Sequence, residues 1–235
     1  MDVIETGNGN LTIVAVHGIQ GTRASWTPLA TAMQDEARFV LPNLRGRAEA
    51  ARGKGPEDYT LDGFADDLER TVRDHVGERP YLLAGWSMGV SVSLQYLARG
   101  GVPRPRGVLL MSGTPTLDRA RWFTARGPAL VEEIAERERR LALVAPADRQ
   151  AVAWTWESIR GTSQLGLLRT VREPVLIVHG RDDEDSPYAH AEALAAGLPD
   201  ATLVGLSGIG HSILKDATAD VAHHLRVFIA RLNWS

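Results

Sequence analysis

Three residues in this sequence have side chains suited to covalent chemistry, and each stands beside an apolar or glycine-containing stretch. Ser87 is the centre of the pentad GWSMG at 85–89, Asp183 ends the run VLIVHGRDD, and His211 lies between glycines in GIGHS. A serine hydroxyl becomes an effective nucleophile when a base takes its proton, and an acid must hold that base in the right tautomer. The three residue types therefore predict hydrolysis through an activated serine.

The residues on either side of Ser87 predict how the chain would present its hydroxyl. Residues 80–84 are typical of a short buried strand, and residues 91–97 are typical of a helix. Gly85 and Gly89 suit a sharp turn between them, because a Cβ at either position would clash where strand and helix cross. Such a turn brings the hydroxyl to the edge of a sheet and aims the first helix amides at the group it attacks.

The order of the motifs along the chain carries more information than any one of them. The stretch IVAVHGIQG at 13–21 precedes the serine, the acidic stretch at 175–183 follows it, and the histidine motif at 208–212 comes last. On these four motifs the chain resembles the α/β-hydrolase superfamily, in particular its small esterases and C–C hydrolases, over nearly its whole length. The resemblance implies an α/β fold: a mainly parallel, twisted sheet covered by helices on both faces.

Three acids could serve as the partner of His211, namely Asp182, Asp183 and Asp185. Members of the superfamily carry the pattern Gly-x-x-Asp-x-x-x-Pro after this strand, and Gly180, Asp183 and Pro187 match it. The resemblance therefore implies Asp183 as the acid of the triad. The other two acids are expected to be solvated or to shape the loop through hydrogen bonds to the backbone.

Hydrolysis of an acyl group also needs donors that stabilise the developing oxyanion. The resemblance implies the backbone amides of Met88 and Ile19 for this role, and it implies that His17 braces the loop. Gln20 is either a further side-chain donor at the substrate pocket or a surface residue. Trp86 either lines the pocket or packs in the core.

The composition limits the function classes that need to be considered. A chain of 235 residues has the size of a single domain (1–235), and its net charge of −3 gives no sign of a nucleic-acid-binding or membrane-binding surface. The sequence lacks cysteine and paired metal-ligand spacings, so we expect no cofactor and no metal site. The start of the chain has no signal-peptide pattern, which makes the cytoplasm the expected location.

Strands and helices alternate along most of the chain, and the pattern breaks at about 116–171. This stretch contains several aromatic residues and a run of charges at 132–140. We interpret it as a helical cap inserted over the serine, with the aromatic side chains inward and the charges outward. Trp122 and Trp154 are then candidates for the substrate pocket. Trp154 and Trp156 are two residues apart and cannot share a helix face, so at most one of them should line it.

Two further features give predictions that the tertiary structure can test. The stretch GNGN at 7–10 lies between strand-like segments at 2–6 and 11–16, which predicts a hairpin. Residues 25–37 are predicted to form a helix.

The chain also departs from the superfamily's usual residues. Asn43 and Arg47-Ala48 replace the acid and the His-Gly of an Asp-x-Arg-Gly-His-Gly loop, and Val90 replaces a glycine that often follows the serine turn. These departures leave the subfamily open.

The sequence thus predicts a serine hydrolase that cleaves small, largely apolar carboxylic esters, lactones or thioesters through an acyl-enzyme. Two alternatives stay open. One is a biosynthetic thioesterase, cyclase or C–C bond hydrolase that uses the same triad on a bulkier intermediate. The other is a ligand-sensing protein with little turnover, because a fold and a triad do not determine the reaction. The expected partner is a small acyl compound, and the oligomeric state is not predicted.

Overall fold

The computed structural model describes residues 2–143 and 145–232, and these form a seven-stranded sheet in the order β1-β3-β2-β4-β5-β6-β7. β1 is antiparallel to β3, and the other neighbouring strands are parallel. The strands are β1 (Asp2–Thr6), β2 (Leu11–Val16), β3 (Ala37–Asn43), β4 (Leu82–Trp86), β5 (Gly107–Met111), β6 (Val175–Gly180) and β7 (Ala201–Leu206). This mainly parallel sheet confirms the predicted fold class.

Helices connect the strands and cover the sheet. They are α1 (Thr27–Ala32), α2 (Leu61–His75), α3 (Met88–Leu97), α4 (Pro128–Arg140), α5 (Arg149–Ile159), α6 (Ala189–Gly197), α7 (Ile213–Asp216) and α8 (Thr218–Arg231). The start of α2 shows why the chain becomes helical there. The Thr60 hydroxyl accepts a hydrogen bond from the Gly63 amide at 3.0 Å, which satisfies one of the free donors of the first turn. In the described part of the chain, no helix is both long and apolar enough to cross a membrane.

β2 shows why the central strands are apolar without interruption. Val14 and Val16 pack into the core beneath α2 and α3, whereas Ile13 and Ala15 pack into the core beneath α1 and α8. Successive side chains of a strand point to opposite faces of the sheet. A strand with helices on both sides must therefore be apolar at every position.

The predicted hairpin at 7–10 is wrong, because β1 pairs with β3 and not with β2. Both edges of β2 are occupied by the parallel strands β3 and β4, so the outer edge of β3 is the position left for β1. The connection crosses the chain just before β3, where the Asn8 amide donates to the Gln34 carbonyl at 2.7 Å. A Cβ at Gly9 would lie 1.8 Å from the Glu36 carbonyl carbon, so this crossing requires glycine.

The predicted helix at 25–37 is also too long. A turn of 3₁₀ helix at Arg23–Trp26 leads into α1, which ends at Ala32, and β3 already begins at Ala37. β3 pairs with strands on both of its sides, and the residues from Ala37 onward are needed for that pairing. Tertiary pairing thus overrides the local helical preference.

The residues between β5 and β6 (112–174, here the β5–β6 helical segment) contain α4 and α5, which pack against each other. This segment also contacts the loop that follows β2. The Gln20 side chain donates to the Ile134 carbonyl at 3.0 Å, and the Ala147 amide donates to the Gln20 carbonyl at 2.9 Å. The segment is therefore held over the end of the sheet at which β2 and β4 terminate.

Candidate active site

Ser87 occupies the turn between β4 and α3 in a strained conformation, with φ 57° and ψ −120°. Positive φ is unfavourable for a residue with a Cβ, so tight packing around the turn must maintain it. A Cβ on Gly85 would lie 2.5 Å from the Gly89 carbonyl oxygen, and a Cβ on Gly89 would lie 2.2 Å from the Val16 carbonyl oxygen. The two glycines therefore permit the close crossing that turns the Ser87 hydroxyl toward His211.

Val90, which departs from the superfamily pattern, is accommodated by a glycine elsewhere in the chain. A Cβ on Gly113, just after β5, would lie 2.4 Å from the Val90 side chain. The missing side chain at Gly113 leaves the room that the branched valine needs, so the turn at Ser87 is retained.

The three side chains singled out by the sequence form one hydrogen-bonded chain. The His211 Nε2 atom lies 3.0 Å from the Ser87 hydroxyl oxygen, and the His211 Nδ1 atom lies 2.9 Å from Asp183 Oδ2. The histidine can therefore accept the serine proton at Nε2, while the proton on Nδ1 stays hydrogen-bonded to the Asp183 carboxylate.

The Asp183 carboxylate is buried and held by several donors. The amides of Asp185 and Ser186 donate to Oδ1 at 3.0 and 2.8 Å. His179 also contacts it, with Nε2 3.4 Å from Oδ2 and 2.6 Å from the Ser186 carbonyl oxygen. Burial alone would raise the pKa of Asp183, but hydrogen bonds from His179, His211 and the Ser186 amide hold that pKa well below its usual range. The carboxylate therefore stays ionised and can stabilise a protonated His211.

Backbone contacts tie the aspartate loop to the histidine loop. The Asp182 amide donates to the Ile209 carbonyl at 3.0 Å, and a Cβ on Gly180 would lie 2.2 Å from that same carbonyl oxygen. The indole of Trp86 donates to the His211 carbonyl at 3.1 Å. Trp86 thus positions the histidine loop as well as lining the space beside Ser87.

The backbone amide of Ile19 finds no acceptor within the described part of the chain. Its orientation follows from His17, whose Nδ1 atom donates to the Gly18 carbonyl at 2.8 Å while Nε2 accepts from the Leu44 amide at 3.1 Å. The Gly18 carbonyl and the Ile19 N–H belong to one planar peptide and point in opposite directions. His17 therefore holds the Ile19 amide ready for another acceptor. The Met88 amide is also free of a helical partner, because it is the first of α3.

Because His17 is buried and neutral, we predict that the free energy of unfolding falls in acid. Burial lowers the pKa of His17 from 6.5 to about 3, so below pH 6.5 the unfolded chain takes up a proton that the folded chain does not. The free energy of unfolding should fall by up to ~1.4 kcal/mol per pH unit on this account. In His17→Gln this contribution disappears, since the amide keeps a donor and an acceptor but does not titrate. Urea unfolding between about pH 6.5 and pH 4.5 measures the difference in slope. His223→Gln, at an exposed position, is the matched control, and an unchanged slope in His17→Gln would contradict the assignment.

Arg47, which replaces the usual histidine of the superfamily loop, is fully buried beneath the β5–β6 helical segment. Its guanidinium donates to the Ile19 carbonyl at 2.8 Å and contacts the Thr155 hydroxyl at 3.3 Å. Burial lowers its pKa to about 10, so the group remains charged at neutral pH. Arg47 thus links the Ile19 loop to α5. The sequence shows that an arginine replaces the usual histidine, but it does not predict this contact.

The prediction that the charges of 132–140 point outward is wrong for two of them, because Arg137 and Glu138 are buried. Arg137 donates to the Gln20 side-chain oxygen and, at 2.6 Å, to Asp185 Oδ2. Arg137 and Gln20 both line the space at Ser87. The Gln20 amide is engaged with α4 on both its nitrogen and its oxygen, so it holds the segment instead of projecting toward Ser87 as a free donor.

We predict that the Arg137–Asp185 pair contributes to folding stability. Arg137→Met leaves the mostly buried Asp185 carboxylate without its partner, which should cost about 3 kcal/mol of unfolding free energy. Arg140→Met should cost less than about 1 kcal/mol, because Arg140 is exposed and 3.9 Å from the same carboxylate. Chemical unfolding of both variants measures this. In the double variant Arg137→Met/Asp185→Asn part of the loss should return, and full additivity would argue against the pair.

The structure does not bring Trp122 or Trp154 to Ser87, so these two pocket predictions need correction. Trp122 packs against Trp156, with 5.6 Å between the ring centres, and Trp154 packs against Tyr59, with 5.8 Å between them. Neither lines the space at Ser87 or the cavity beside it. These aromatic rings instead fill the interior of the β5–β6 helical segment and its contact with the sheet domain.

The walls of the cavity next to Ser87 come from other residues. The cavity has a volume of about 200 Å³ and opens past Trp86. Its lining includes Gly21, Pro28, Trp86, Leu141, Leu143 and Leu214. The leucines of the α4–α5 loop belong to no motif, so nothing in the sequence indicates that they line a cavity. No group of three or more His, Asp or Glu side chains arranged to hold a metal ion occurs among the described residues.

Comparisons with known proteins cover nearly the whole chain. Residues 13–224 match the family model described as "Alpha/beta hydrolase family". The AB hydrolase superfamily protein YisY of Bacillus subtilis is 26% identical over 202 residues, which cover 74% of each chain. A pimeloyl-[acyl-carrier protein] methyl ester esterase of Nitrosomonas europaea is 28% identical over 238 residues, covering 88% of this chain and 90% of that protein. The solved esterase EaEST of Exiguobacterium antarcticum has the same fold, with a TM-score of 0.81 at 17% identity, over 97% of this chain and 94% of that one.

Proposed function

The chain belongs to the alpha/beta hydrolase family, and from this premise we propose that it is a serine hydrolase acting through an acyl-enzyme. Its substrates are small, largely apolar carboxylic esters, lactones or thioesters. The observation that carries the proposal is the hydrogen-bonded chain from Asp183 through His211 to the Ser87 hydroxyl. The similarity to a methyl ester esterase supports the reaction class.

In the first half of the reaction the Ser87 oxygen attacks the substrate carbonyl carbon and His211 Nε2 takes the hydroxyl proton. The carbonyl oxygen becomes an oxyanion, which accepts hydrogen bonds from the amides of Ile19 and Met88. When the bond to the leaving alcohol or thiol breaks, His211 returns the proton to that group. The product is an ester between Ser87 and the acyl group.

The second half of the reaction repeats these steps with water. His211 takes a proton from a water molecule, whose oxygen attacks the acyl carbon and releases the carboxylic acid. The proton then returns to the Ser87 oxygen, which restores the free enzyme. Asp183 stays ionised throughout and stabilises the positive charge on His211 in both halves.

The shape of the surroundings supports a small apolar substrate. The space at Ser87 adjoins the cavity of about 200 Å³, whose walls are mostly apolar. We propose that the β5–β6 helical segment acts as a cap over this site, with its α4–α5 loop forming one wall. Arg137, which lines the space at Ser87, is paired with Asp185, so its charge is balanced there.

Labelling with a fluorophosphonate, followed by a panel of esters, lactones and thioesters, tests the proposal. We expect stoichiometric labelling of Ser87, located by peptide mass spectrometry, together with turnover of short activated esters. Labelling without turnover of any simple ester would favour the alternative of a biosynthetic thioesterase, cyclase or C–C bond hydrolase. Absence of labelling in folded protein would overturn the proposal and favour a ligand-sensing role.

A further inference from the structure

The cavity beside Ser87 adjoins the space in which the reaction would take place. Gly21, Trp86, Leu141, Leu143 and Ser212 line both the cavity and the space at Ser87. The space at Ser87 is only about 20 Å³, so an ester carbonyl that reaches the Ser87 hydroxyl would have the rest of its ligand beside the Trp86 ring, where the cavity begins.

The size and walls of the cavity define the part of a ligand that it can hold. A water molecule takes up about 30 Å³ in the liquid, so a volume of about 200 Å³ corresponds to about six or seven heavy atoms. Pro28, Leu141 and Leu214 supply apolar surface along it. Burying such a chain against apolar walls is favourable because it removes apolar surface from water. The cavity thus fits a medium-length aliphatic chain.

One charged side chain, Lys215, stands among the described residues that line the cavity. It is exposed, and no carboxylate of the described part of the chain lies within 4.0 Å of its ammonium. Its backbone is fixed, because the Lys215 amide donates to the Ser212 carbonyl at 2.9 Å and the preceding Ile213 and Leu214 are buried. An ordered backbone therefore places the exposed Lys215 ammonium beside a cavity whose other described lining residues are uncharged.

We propose that the substrate is an ester with a medium-length aliphatic chain that ends in a carboxylate or another anionic group. The chain fills the cavity beside Trp86, and its anionic end pairs with the Lys215 ammonium in water. This inference rests on the proposed function and adds the substrate class. An uncharged end would gain nothing from the exposed Lys215 ammonium, whereas an anion at the reacting end would lie against the apolar walls at a desolvation cost.

The test compares matched esters that differ in the end of the chain. The first pair is mono-para-nitrophenyl octanedioate and para-nitrophenyl octanoate, which differ on the acyl side. The second pair is carboxyheptyl acetate and octyl acetate, which differ on the alcohol side. The measured quantity is the ratio of kcat/KM for the carboxylate ester to kcat/KM for its neutral counterpart.

In the wild type we expect a ratio above one in at least one pair. In Lys215→Gln that ratio should fall about fivefold, the size of a solvent-exposed ion pair, and in Lys215→Glu it should fall further. Raising the salt concentration should reduce the wild-type ratio, because salt screens exposed charges. Lys54→Gln removes the other lysine of the chain, which is not among the residues that line the cavity, and should leave the ratio unchanged.

The outcomes separate this inference from the proposed function. If the neutral esters are hydrolysed but the ratio is the same in wild type and Lys215→Gln for both pairs, the inference is wrong and the proposed function stands. If no ester of either pair is hydrolysed by protein that also resists fluorophosphonate, the proposed function itself fails. If the ratio depends on salt but falls as much in Lys54→Gln as in Lys215→Gln, the cause is a general charge effect, and the role of Lys215 is overturned.

Discussion

Ser87→Ala should lower ester turnover by at least about a thousandfold, because it removes the nucleophile on which the proposed acyl-enzyme depends. The fold should survive the change, since alanine fits wherever serine does and the turn is maintained by Gly85 and Gly89. Activity on an activated ester and the midpoint of thermal unfolding, measured on the same preparation, check both parts of the expectation.

A serine in α3, the helix that follows Ser87, provides the matched control. The Ser93 hydroxyl donates to the Gly89 carbonyl at 2.8 Å and has no contact with His211. Ser93→Ala should therefore keep most of the activity, while Ser87→Ala loses both turnover and fluorophosphonate labelling. Retention of more than a few per cent of the wild-type rate in Ser87→Ala would show that another group carries the reaction.

Asp183→Asn should lower kcat by about ten-thousandfold, because it favours the wrong tautomer of His211. The amide can donate to Nδ1, which leaves the proton on Nε2, where a base for Ser87 is needed. The variant also loses the buried negative charge that stabilises a protonated His211. Because the pKa of Asp183 is held low, this charge is present in the wild type at neutral pH.

The neighbouring acids make this prediction specific. Asp182→Asn changes an exposed side chain and should leave kcat nearly unchanged. Asp185→Asn breaks the ion pair with Arg137 and should act mainly on stability, with a small effect on kcat. Steady-state kinetics with one activated ester compares all three variants. A larger loss in Asp182→Asn than in Asp183→Asn would refute the assignment of the acid.

Much of the fold could be predicted because its signals are local. The double-sided burial of β2 appears as an uninterrupted apolar run, and the Thr60 cap appears one residue before α2 begins. The strained turn at Ser87 is visible in the two glycines that flank it. The prediction of a hairpin at 7–10 is wrong because the pairing partner of a strand depends on which edges of the sheet are free. The four residues of the turn carry no information about those edges.

The candidate site divides in the same way. Ser87, Asp183 and His211 are recognisable because each requires a particular backbone turn, and turns leave glycine and proline patterns in the sequence. Arg47 and Arg137 have no such pattern, since they act over long separations in the chain. Arg137 meets Gln20 across 117 residues, and Arg47 meets Thr155 across 108.

The sequence by itself determined the fold class and the order of the candidate catalytic residues, because strand burial, helix caps and tight turns depend on residues near one another in the chain. Only the tertiary structure decided which charges of 132–140 are buried, where Trp122 and Trp154 pack, and that Lys215 lies at the end of a cavity next to Ser87. These facts depend on which surfaces of distant elements meet when the β5–β6 helical segment folds over the sheet. Packing between distant elements depends on the shape and charge of both elements. The local sequence of one element does not reveal the shape or charge of the other.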